Sequence, residues 1–321
     1  MVASKKPRVS IGFPVYNGEN YLEGALNSLL SQTFSDFEIV ISDNASTDRT
    51  AEVCQAYAAK DARIKYSCNE GNIGARKNWN RVFALSKGEY FNWTAHDDKY
   101  APQFLQKCVE ILDGDSSIVL CYARAKIIDK DGRVIGTYDR KMRTASPKPH
   151  VRFHDLIFNE KCFEIFGVIR ADALRKTPVI GGFGHADGVL LTRLGLMGRF
   201  HEIPEYLFFN RDHPQKSLYQ YSTYRDYAVW YEPSNRGKIL LPRWRMGFEY
   251  VKCVTSVPLR LKERFLCLLQ MGSWVARFWE SLAANVLFAG WQLLRLPVQK
   301  IKVKHAPQSS NRDSHIKEKI A

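Results

Sequence analysis

Two adjacent carboxylates, Asp97 and Asp98, directly follow an apolar stretch of the sequence. Residues 90–94 are rich in aromatic and β-branched side chains, which predicts a short buried strand. The Ala101-Pro102 pair predicts the start of a helix, because proline is favoured in the first helical turn. Carboxylates between a strand and a helix lie where open α/β sheets bind ligands, and they can hold a divalent cation. The alternative is a pair of solvated loop aspartates that cap the next helix.

Asp187 and Asp43 are two further carboxylates at predicted element boundaries. Asp187 lies between a glycine-rich stretch and apolar residues at helical spacing, where it could act as a general base for a hydroxyl or simply cap the helix. Asp43 ends the second predicted strand, where a cap or turn residue is the alternative to a functional role. His185 and His213 could assist a phosphate or a hydroxyl, but an ordinary packed or surface histidine is the simpler explanation for each.

The composition narrows the class of protein and its partners. The chain has 321 residues, enough for one large domain or two small ones, and its 47 Lys and Arg against 33 Asp and Glu give a net charge of +14. This excess predicts an anionic partner such as a nucleotide, an acidic membrane surface or a nucleic acid. The seven cysteines are scattered, with no Cys-x-x-Cys spacing, which argues against a disulfide framework or a zinc site and favours a reducing cytoplasm. The polar N-terminal residues predict no cleavable secretion signal.

Strands and helices are predicted to alternate in the first part of the chain, which indicates a doubly wound parallel sheet. Neither a Gly-x-Gly-x-x-Gly motif nor a Walker loop is present, so a nucleotide would be bound by another design. A further strand at 118–122, a hairpin at 125–137, a loop at 139–150 and a strand at 200–211 are also expected. The alternating pattern consists of strands at 9–14, 37–42, 63–67 and 90–94 and helices at 21–30, 50–59, 75–85 and 102–112.

The C-terminal part has a different character. Residues 218–304 are basic and apolar, and the uncharged run 281–294 is shorter than the roughly 20 residues that span a bilayer. The pattern favours an amphipathic helix at a membrane surface, with flanking cations and tryptophan anchors such as Trp274. An ordinary helix packed on the domain is the alternative. Residues 305–321 are polar and predicted to be disordered.

The order of these motifs resembles that of the family 2 glycosyltransferases. The resemblance covers roughly residues 7–217, and it implies an α/β fold of the GT-A type, with a Rossmann-like, doubly wound mixed sheet. Residues 1–217 would form this domain, with the nucleotide-sugar half at about 7–115 and the acceptor half at about 116–217. The matching stretches are residues 9–17, 21–22, 28–34, 38–48, 72–74, 88–90, 97–98, 187–198, 203–207 and 211–213.

The resemblance implies roles for particular residues. Asp97 falls on the last position of the family's Asp-x-Asp motif and would bind Mn²⁺ or Mg²⁺. Ala95 replaces the first Asp, a departure for which Asp98 could compensate. Asp187 falls on the position of the catalytic base. The nucleotide-sugar would contact Pro14, Tyr16, Asn17, Glu19, Asp43, Arg76, Lys77 and Asp98, and the acceptor and phosphate side would include His185, Arg211 and His213.

The predicted function is inverting transfer of a sugar from a nucleotide-diphosphate sugar to a hydroxyl of a glycan or lipid-linked acceptor. Surface polysaccharide synthesis at the inner face of the cell membrane, with the C-terminal segment on anionic lipid, is the expected setting. A catalytically silent scaffold subunit is the main alternative, which Ala95 favours. A nucleotidyltransferase would need a glycine-rich basic loop after the first strand, which is missing. Nucleic-acid binding lacks any recognition motif and is not expected.

Overall fold

The computed structural model describes residues 6–303, apart from the side chains of residues 217, 218 and 291–303. The predicted disordered tail at 305–321 therefore lies outside the described residues.

The first part of the chain has the predicted alternation. Strands β1 to β4 pair in the parallel order β3-β2-β1-β4, and all seven residues of β1 and of β2 are buried. Such continuous apolar strands are typical of a sheet covered on both faces. The elements are β1 (Val9–Val15), α1 (Leu22–Leu30), β2 (Phe37–Asp43), α2 (Thr50–Lys60), β3 (Ile64–Cys68), α3 (Ala75–Leu85) and β4 (Tyr90–Trp93).

The second part extends the same sheet and makes it mixed. Its elements are β5 (Lys99–Tyr100), α4 (Phe104–Gly114), β6 (Ile118–Ile128), β7 (Val134–Tyr138), α5 (Pro149–Ile157), β8 (Val168–Arg170), α6 (Ala171–Arg175), α7 (Ala186–Met197) and β9 (Arg199–Arg211). Strand β8 pairs antiparallel with both β4 and β6, β9 runs parallel to β6, and β7 forms the predicted hairpin with β6. The sheet is thus mixed, as the GT-A resemblance implied, and not parallel throughout.

Two boundaries differ from the sequence-based expectation. The strand predicted at 118–122 and the first arm of the predicted hairpin are one continuous strand, β6, because its pairing with β9 continues through a register shift near Arg124. The loop predicted at 139–150 ends earlier, since Pro149 begins α5 at a first-turn position that suits proline.

Helices α8 (Ser217–Gln220), α9 (Tyr224–Tyr231), α10 (Pro242–Ser256) and α11 (Leu261–Val303) complete the described chain. Helix α11 is interrupted at Phe278, whose φ of −115° and ψ of 15° are not helical. Among the described residues, no helix combines the length and the apolar character needed to cross a membrane.

The C-terminal helices share a hydrophobic core with the preceding domain. Trp274 and Tyr250, on α11 and α10, pack with Phe153 of α5 and Val189 of α7. Trp274 is only 1% exposed, so its prediction as a membrane anchor was wrong: the side chain supports this core instead. A face of α11 is therefore packed on the domain, as the alternative interpretation of the sequence required.

Candidate functional site

A cleft of about 650 Å³ opens at the carboxyl ends of β1 and β4, a size suited to a small-molecule ligand. It is the place where open α/β sheets bind ligands. Eight of the residues proposed from the sequence line it together, although they come from distant parts of the chain. They are Pro14, Tyr16, Asn17, Asp97, Asp98, His185, Asp187 and His213.

Asp97 and His213 form a buried pair in this cleft. The Oδ2 atom of Asp97 lies 3.0 Å from Nε2 of His213, which follows the end of β9. Burial alone would raise the pKa of Asp97, but the hydrogen bond from His213 and the charges of His96, His213 and Lys216 together lower it. The other ring nitrogen of His213, Nδ1, is buried and has no hydrogen-bond partner among the described residues. Asp97 is thus held as a carboxylate at the cleft surface.

Asp98 has the opposite environment. Its Oδ1 accepts hydrogen bonds from the backbone N–H of Arg211 at 2.9 Å and from Nδ2 of Asn210 at 3.0 Å. Burial, and then the neighbouring charge of Asp97, raise the pKa of Asp98 well above its ordinary value. Asp98 therefore fixes the end of β9 against the Asp97 loop.

The Asp97–His213 pair fits a divalent cation. Asp97 Oδ2 and His213 Nε2 face each other at 3.0 Å, and carboxylate oxygen and imidazole nitrogen are both common metal ligands. The Asp97 carboxylate suits Mn²⁺ or Mg²⁺, and the imidazole of His213 adds a nitrogen ligand. Ala95 lines the same cleft and offers no ligand atom.

Asp187 lies across the cleft in the first turn of α7. Its Oδ1 accepts a hydrogen bond from the backbone N–H of Gly188 at 2.9 Å. The N-cap position belongs to His185, so Asp187 is not the cap that the alternative interpretation proposed. Cys162, His185 and Asp187 bring one sulfur, one nitrogen and one oxygen within 4.8 Å of one another. Burial, followed by the charges of Asp187 and Glu164, raises the pKa of the Cys162 thiol.

Glu19 and Asp43, expected to contact the nucleotide-sugar, do not line the cleft. Glu19 accepts a hydrogen bond from the backbone N–H of Arg49 at 3.0 Å and so supports the start of α2. Asp43 is fully buried, with its two oxygens engaged by the backbone N–H of Ser46 at 2.9 Å and the hydroxyl of Tyr66 at 3.0 Å.

The three cationic side chains predicted at the site, Arg76, Lys77 and Arg211, do not line the cleft either. Arg76 forms an ion pair with Glu232 beside a second cavity, and Lys77 is exposed to solvent. The buried guanidinium of Arg211 donates to the backbone carbonyls of Asp97, Asp129 and Lys130. These contacts make Arg211 a support of the loop that carries Asp97, and Arg211 does not line the cleft. The cations that do line the cleft are Lys161 and Lys216, which sequence reasoning missed.

An aromatic wall closes one side of the cleft and was also missed. We use this name for Tyr221, Tyr227, Trp230 and Tyr231, all of which line the cleft. The ring of Trp230 lies 5.2 Å from that of Tyr221 and 5.5 Å from that of Tyr227, and Tyr227 stacks on Tyr231 at 5.9 Å. The density of aromatic residues at 219–231 is the sequence signal that could have indicated it.

Comparisons with known proteins agree with this geometry. Residues 10–180 match the family model described as Glycosyl transferase family 2. An uncharacterized glycosyltransferase of Rickettsia typhi is 37% identical over 126 residues, which are 39% of this chain and 38% of that protein. The chondroitin synthase of Escherichia coli is 26% identical over 202 residues, covering 59% of this chain and 29% of the synthase. The chain thus matches less than two fifths of the length of these curated relatives.

Solved structures show the same fold. TarS of S. aureus (residues 1–349, in complex with UDP-GlcNAc) has a TM-score of 0.56 and 18% identity, over 80% of this chain and 69% of that one. A mannosyltransferase from Pyrobaculum calidifontis, in complex with GDP-Man and Mn²⁺, has a TM-score of 0.50 and 16% identity, over 94% of this chain and 84% of that one. The family match covers more than half of the chain, and the mixed α/β sheet agrees with it. The chain therefore belongs to glycosyl transferase family 2 and is a glycosyltransferase with the GT-A fold.

Proposed function

We propose that this glycosyltransferase moves a sugar from a nucleotide-diphosphate sugar to a hydroxyl of a glycan or lipid-linked acceptor, with inversion at the anomeric carbon. The observation that carries the proposal is the presence of the Asp97–His213 pair and of Asp187 in one cleft. The complexes of TarS with UDP-GlcNAc and of the mannosyltransferase with GDP-Man support this class of donor. The matches to chondroitin and hyaluronan synthases support a growing glycan as acceptor.

Asp97 and His213 would hold the divalent cation. When bound, such a cation offsets the negative charge that develops on a diphosphate leaving group. Two protein cations are available for the same anion, because Lys161 and Lys216 line the cleft. Lys216 is held in place by Nζ hydrogen bonds of 2.8 Å to Oδ1 of Asn210 and 3.0 Å to the carbonyl of Arg211.

Asp187 would act as the general base. An acceptor hydroxyl within its reach loses its proton to the carboxylate while its oxygen forms a bond to the anomeric carbon. The bond from that carbon to the diphosphate oxygen breaks at the same time, and this single displacement inverts the configuration. The nearby Cys162 thiol is a poorer candidate for the base, because burial raises its pKa and keeps it protonated.

We infer that the protein works in surface polysaccharide synthesis at the cytoplasmic face of the cell membrane. Helices α10 and α11 support the membrane part of this proposal. Residues 242–290 contain seven Lys and Arg against three Glu. Their exposed face carries large apolar side chains, which include Trp244, Phe248, Leu261, Phe265 and Trp279. Cations beside exposed apolar groups suit the surface of an anionic bilayer.

The transfer reaction tests the proposed function. We would incubate the protein with Mn²⁺, a lipid-linked glycan extract of the source cells, and either UDP-GlcNAc or GDP-Man. We expect release of the nucleoside diphosphate from one donor and a product of inverted anomeric configuration by NMR. Asp187→Asn should lower kcat about 10²- to 10⁴-fold, because the base is lost, while the Kd for the nucleotide stays unchanged.

Asp172→Asn is the matched control, since the Asp172 side chain on α6 is 87% exposed and lies outside the cleft. An Asp187→Asn variant with activity within threefold of wild type, or a product of retained configuration, would contradict the assignment.

A further inference from the structure

A thiol, an imidazole and a carboxylate lie close together on the side of the cleft that carries Asp187. This thiol–imidazole–carboxylate cluster consists of Cys162, His185 and Asp187. The Sγ atom of Cys162 lies 4.0 Å from both ring nitrogens of His185. The cysteine precedes a 3-10 turn (Phe163–Phe166), whereas the other two residues are at the start of α7. Only the fold brings them together, which is why cysteine spacing in the sequence did not indicate the cluster.

The surroundings hold these side chains in place. The His185 ring lies on Gly188, where an added Cβ would be 2.1 Å from Nε2, so only glycine leaves room for the ring. Cys162 and His185 have left-handed backbones, with φ of 48° and 63°. This conformation costs roughly 1 kcal/mol or more for a residue other than glycine, and such strain is concentrated at functional sites.

A buried polar atom accompanies the cluster. The hydroxyl of Tyr250 on α10 is buried and has no hydrogen-bond partner among the described residues. Burial, and then the charges of Cys162 and Asp187, raise the pKa of Tyr250, which places its hydroxyl in the electrostatic field of the cluster. A fully buried hydroxyl without a partner costs free energy, and it is available to a further ligand of the site.

The donor set identifies the class of cation. Sulfur, imidazole nitrogen and carboxylate oxygen are the ligands of Zn²⁺ and similar ions, whereas Mg²⁺ and Mn²⁺ prefer oxygen. With bonds of about 2.3 Å to sulfur and 2.0 Å to nitrogen, tetrahedral ligands lie about 3.5 Å apart. The 4.0 Å between Cys162 Sγ and the His185 nitrogens exceeds this by about half an ångström, and all three ligand atoms, which lie within 4.8 Å of one another, would draw together on binding. Three protein ligands would leave a fourth position open, as in catalytic zinc sites.

We propose that Cys162, His185 and Asp187 bind a soft divalent cation of the Zn²⁺ class, and that the bound ion inhibits transfer by occupying the base. Binding releases the thiol proton to solvent and leaves a thiolate on the ion. The Asp187 oxygen that would take the proton from the acceptor hydroxyl is then bound to the cation and can no longer act as the base. The inhibitory part rests on the proposed function of Asp187, but the binding part does not.

Cobalt spectroscopy on the full-length protein tests the binding directly. Co²⁺ replaces Zn²⁺ in such sites, and a coordinated thiolate gives a charge-transfer absorption that carboxylate and imidazole ligands do not. We expect this absorption to saturate at one Co²⁺ per chain and to disappear on addition of Zn²⁺. Cys162→Ser should abolish it, and His185→Gln should weaken Co²⁺ binding at least tenfold.

Two variants serve as matched controls for the cobalt measurement. Cys68→Ser, which removes an exposed cysteine, should retain the absorption, as should Asp97→Asn in the other candidate metal site. Thermal unfolding would verify that each variant is folded. Absence of the thiolate absorption in folded wild type, or its persistence in Cys162→Ser, would overturn the proposal.

Inhibition is measured separately from binding. In the transfer assay with excess Mn²⁺, Zn²⁺ should inhibit wild type and Cys68→Ser equally, and Cys162→Ser should need at least tenfold more Zn²⁺. If the cobalt absorption is present but no transfer occurs under any condition, the proposed transferase function fails and the cation site stands. If Zn²⁺ inhibits wild type and Cys162→Ser alike, the inhibitory role of the cluster is wrong.

Discussion

Asp97 and Asp98 show at the scale of single residues how neighbours in the sequence acquire different roles. Both are buried, but Asp97 is paired with an imidazole, whereas Asp98 accepts from the uncharged groups of Asn210 and the Arg211 backbone. The pKa of the first is lowered, despite burial, and that of the second is raised by burial and by Asp97. When two environments push the pKa values of neighbouring carboxylates apart, the carboxylate with the lower pKa is the one that stays ionised. Asp97 thus presents its carboxylate beside the His213 imidazole in the cleft, and this is the pair proposed to hold the cation.

Asp155 on α5 gives a prediction about stability at the same scale. Burial alone would raise its pKa, but hydrogen bonds from the side chain and backbone of Arg143, and from His154, lower the pKa to about 2. A carboxylate whose pKa is lower in the folded state stabilises the protein above its unfolded pKa, and this contribution is lost as the pH falls through the folded value. Asp155→Asn should therefore lower the free energy of unfolding by about 1–2 kcal/mol at pH 7.

Urea unfolding at pH 7, 4 and 3 measures this effect. The difference between wild type and Asp155→Asn should remain down to about pH 4 and shrink between pH 4 and pH 2, in accordance with the lowered pKa. Asp172→Asn, whose partner Arg175 forms an exposed ion pair with it, should change stability little at any pH. A difference for Asp155→Asn that stayed constant from pH 7 to pH 3 would contradict the linkage.

At the scale of elements, the parts predicted best are those whose pattern is local. The β1 to β4 region follows the predicted alternation, and α3 has the predicted bounds, Ala75–Leu85, because apolar spacing and flanking glycines are visible in the sequence. Helix α8 was not predicted because it has only four residues. Helix α9 was missed although Tyr224, Tyr227, Ala228 and Tyr231 have the helical spacing i, i+3, i+4 and i+7. Strand β8 has only three residues, too few for any period.

The candidate site was predictable only where chemistry coincides with an element boundary. Asp97 at a strand end and Asp187 at a helix start both line the cleft. Arg211, predicted on the acceptor and phosphate side, does not line the cleft. No sequence pattern shows that its guanidinium donates to the carbonyls of Asp97, Asp129 and Lys130. Cys162 was missed because its partners are more than 20 residues away and are brought to it by tertiary packing.

The aromatic wall, on α9 and in the turn before it, gives a prediction at the scale of elements. Aromatic side chains offer large rigid apolar faces on which the C–H groups of a sugar ring can pack, and burying one large apolar side chain contributes about 1.5–3 kcal/mol. We expect Trp230→Ala to raise the KM for the acceptor about tenfold, with little change in kcat and none in the Kd for the nucleotide. Steady-state kinetics with varied acceptor, and nucleotide titration, separate these effects.

Tyr219→Ala is the control for this measurement, because Tyr219 is 58% exposed, does not line the cleft and lies outside the proposed membrane face. If Trp230→Ala left the KM for the acceptor unchanged, or weakened nucleotide binding instead, the aromatic wall would not be an acceptor surface.

At the scale of the whole molecule, the net charge of +14 and the exposed apolar face of α10 and α11 predict binding to anionic membranes. Vesicles of phosphatidylcholine with 30% phosphatidylserine should co-sediment the protein, and pure phosphatidylcholine vesicles should not. The binding should weaken as salt rises, because surface charges are screened. The double substitution Phe248→Ser and Phe265→Ser should lower vesicle binding at least tenfold, since each ring is more than 60% exposed.

Leu85→Ser provides the control for the membrane experiment, as Leu85 is 42% exposed on α3, outside this face. Substitution is preferable to removal of α11, because Trp274 and Met271 of that helix belong to the core. Equal binding of both vesicle types, or full binding by the double variant, would contradict the membrane proposal.

The central claim is that one cleft binds a nucleotide through a cation held by Asp97, and calorimetric titration tests it most directly. We would titrate the protein with UDP, GDP and dTDP, with and without Mn²⁺, and repeat the measurement on Asp97→Ala. We predict that one nucleotide binds in the presence of Mn²⁺ and that its affinity falls at least tenfold when Mn²⁺ is withheld or Asp97 is replaced. Failure of all three nucleotides to bind wild type in either condition would contradict the account and would favour a catalytically silent scaffold with the same fold.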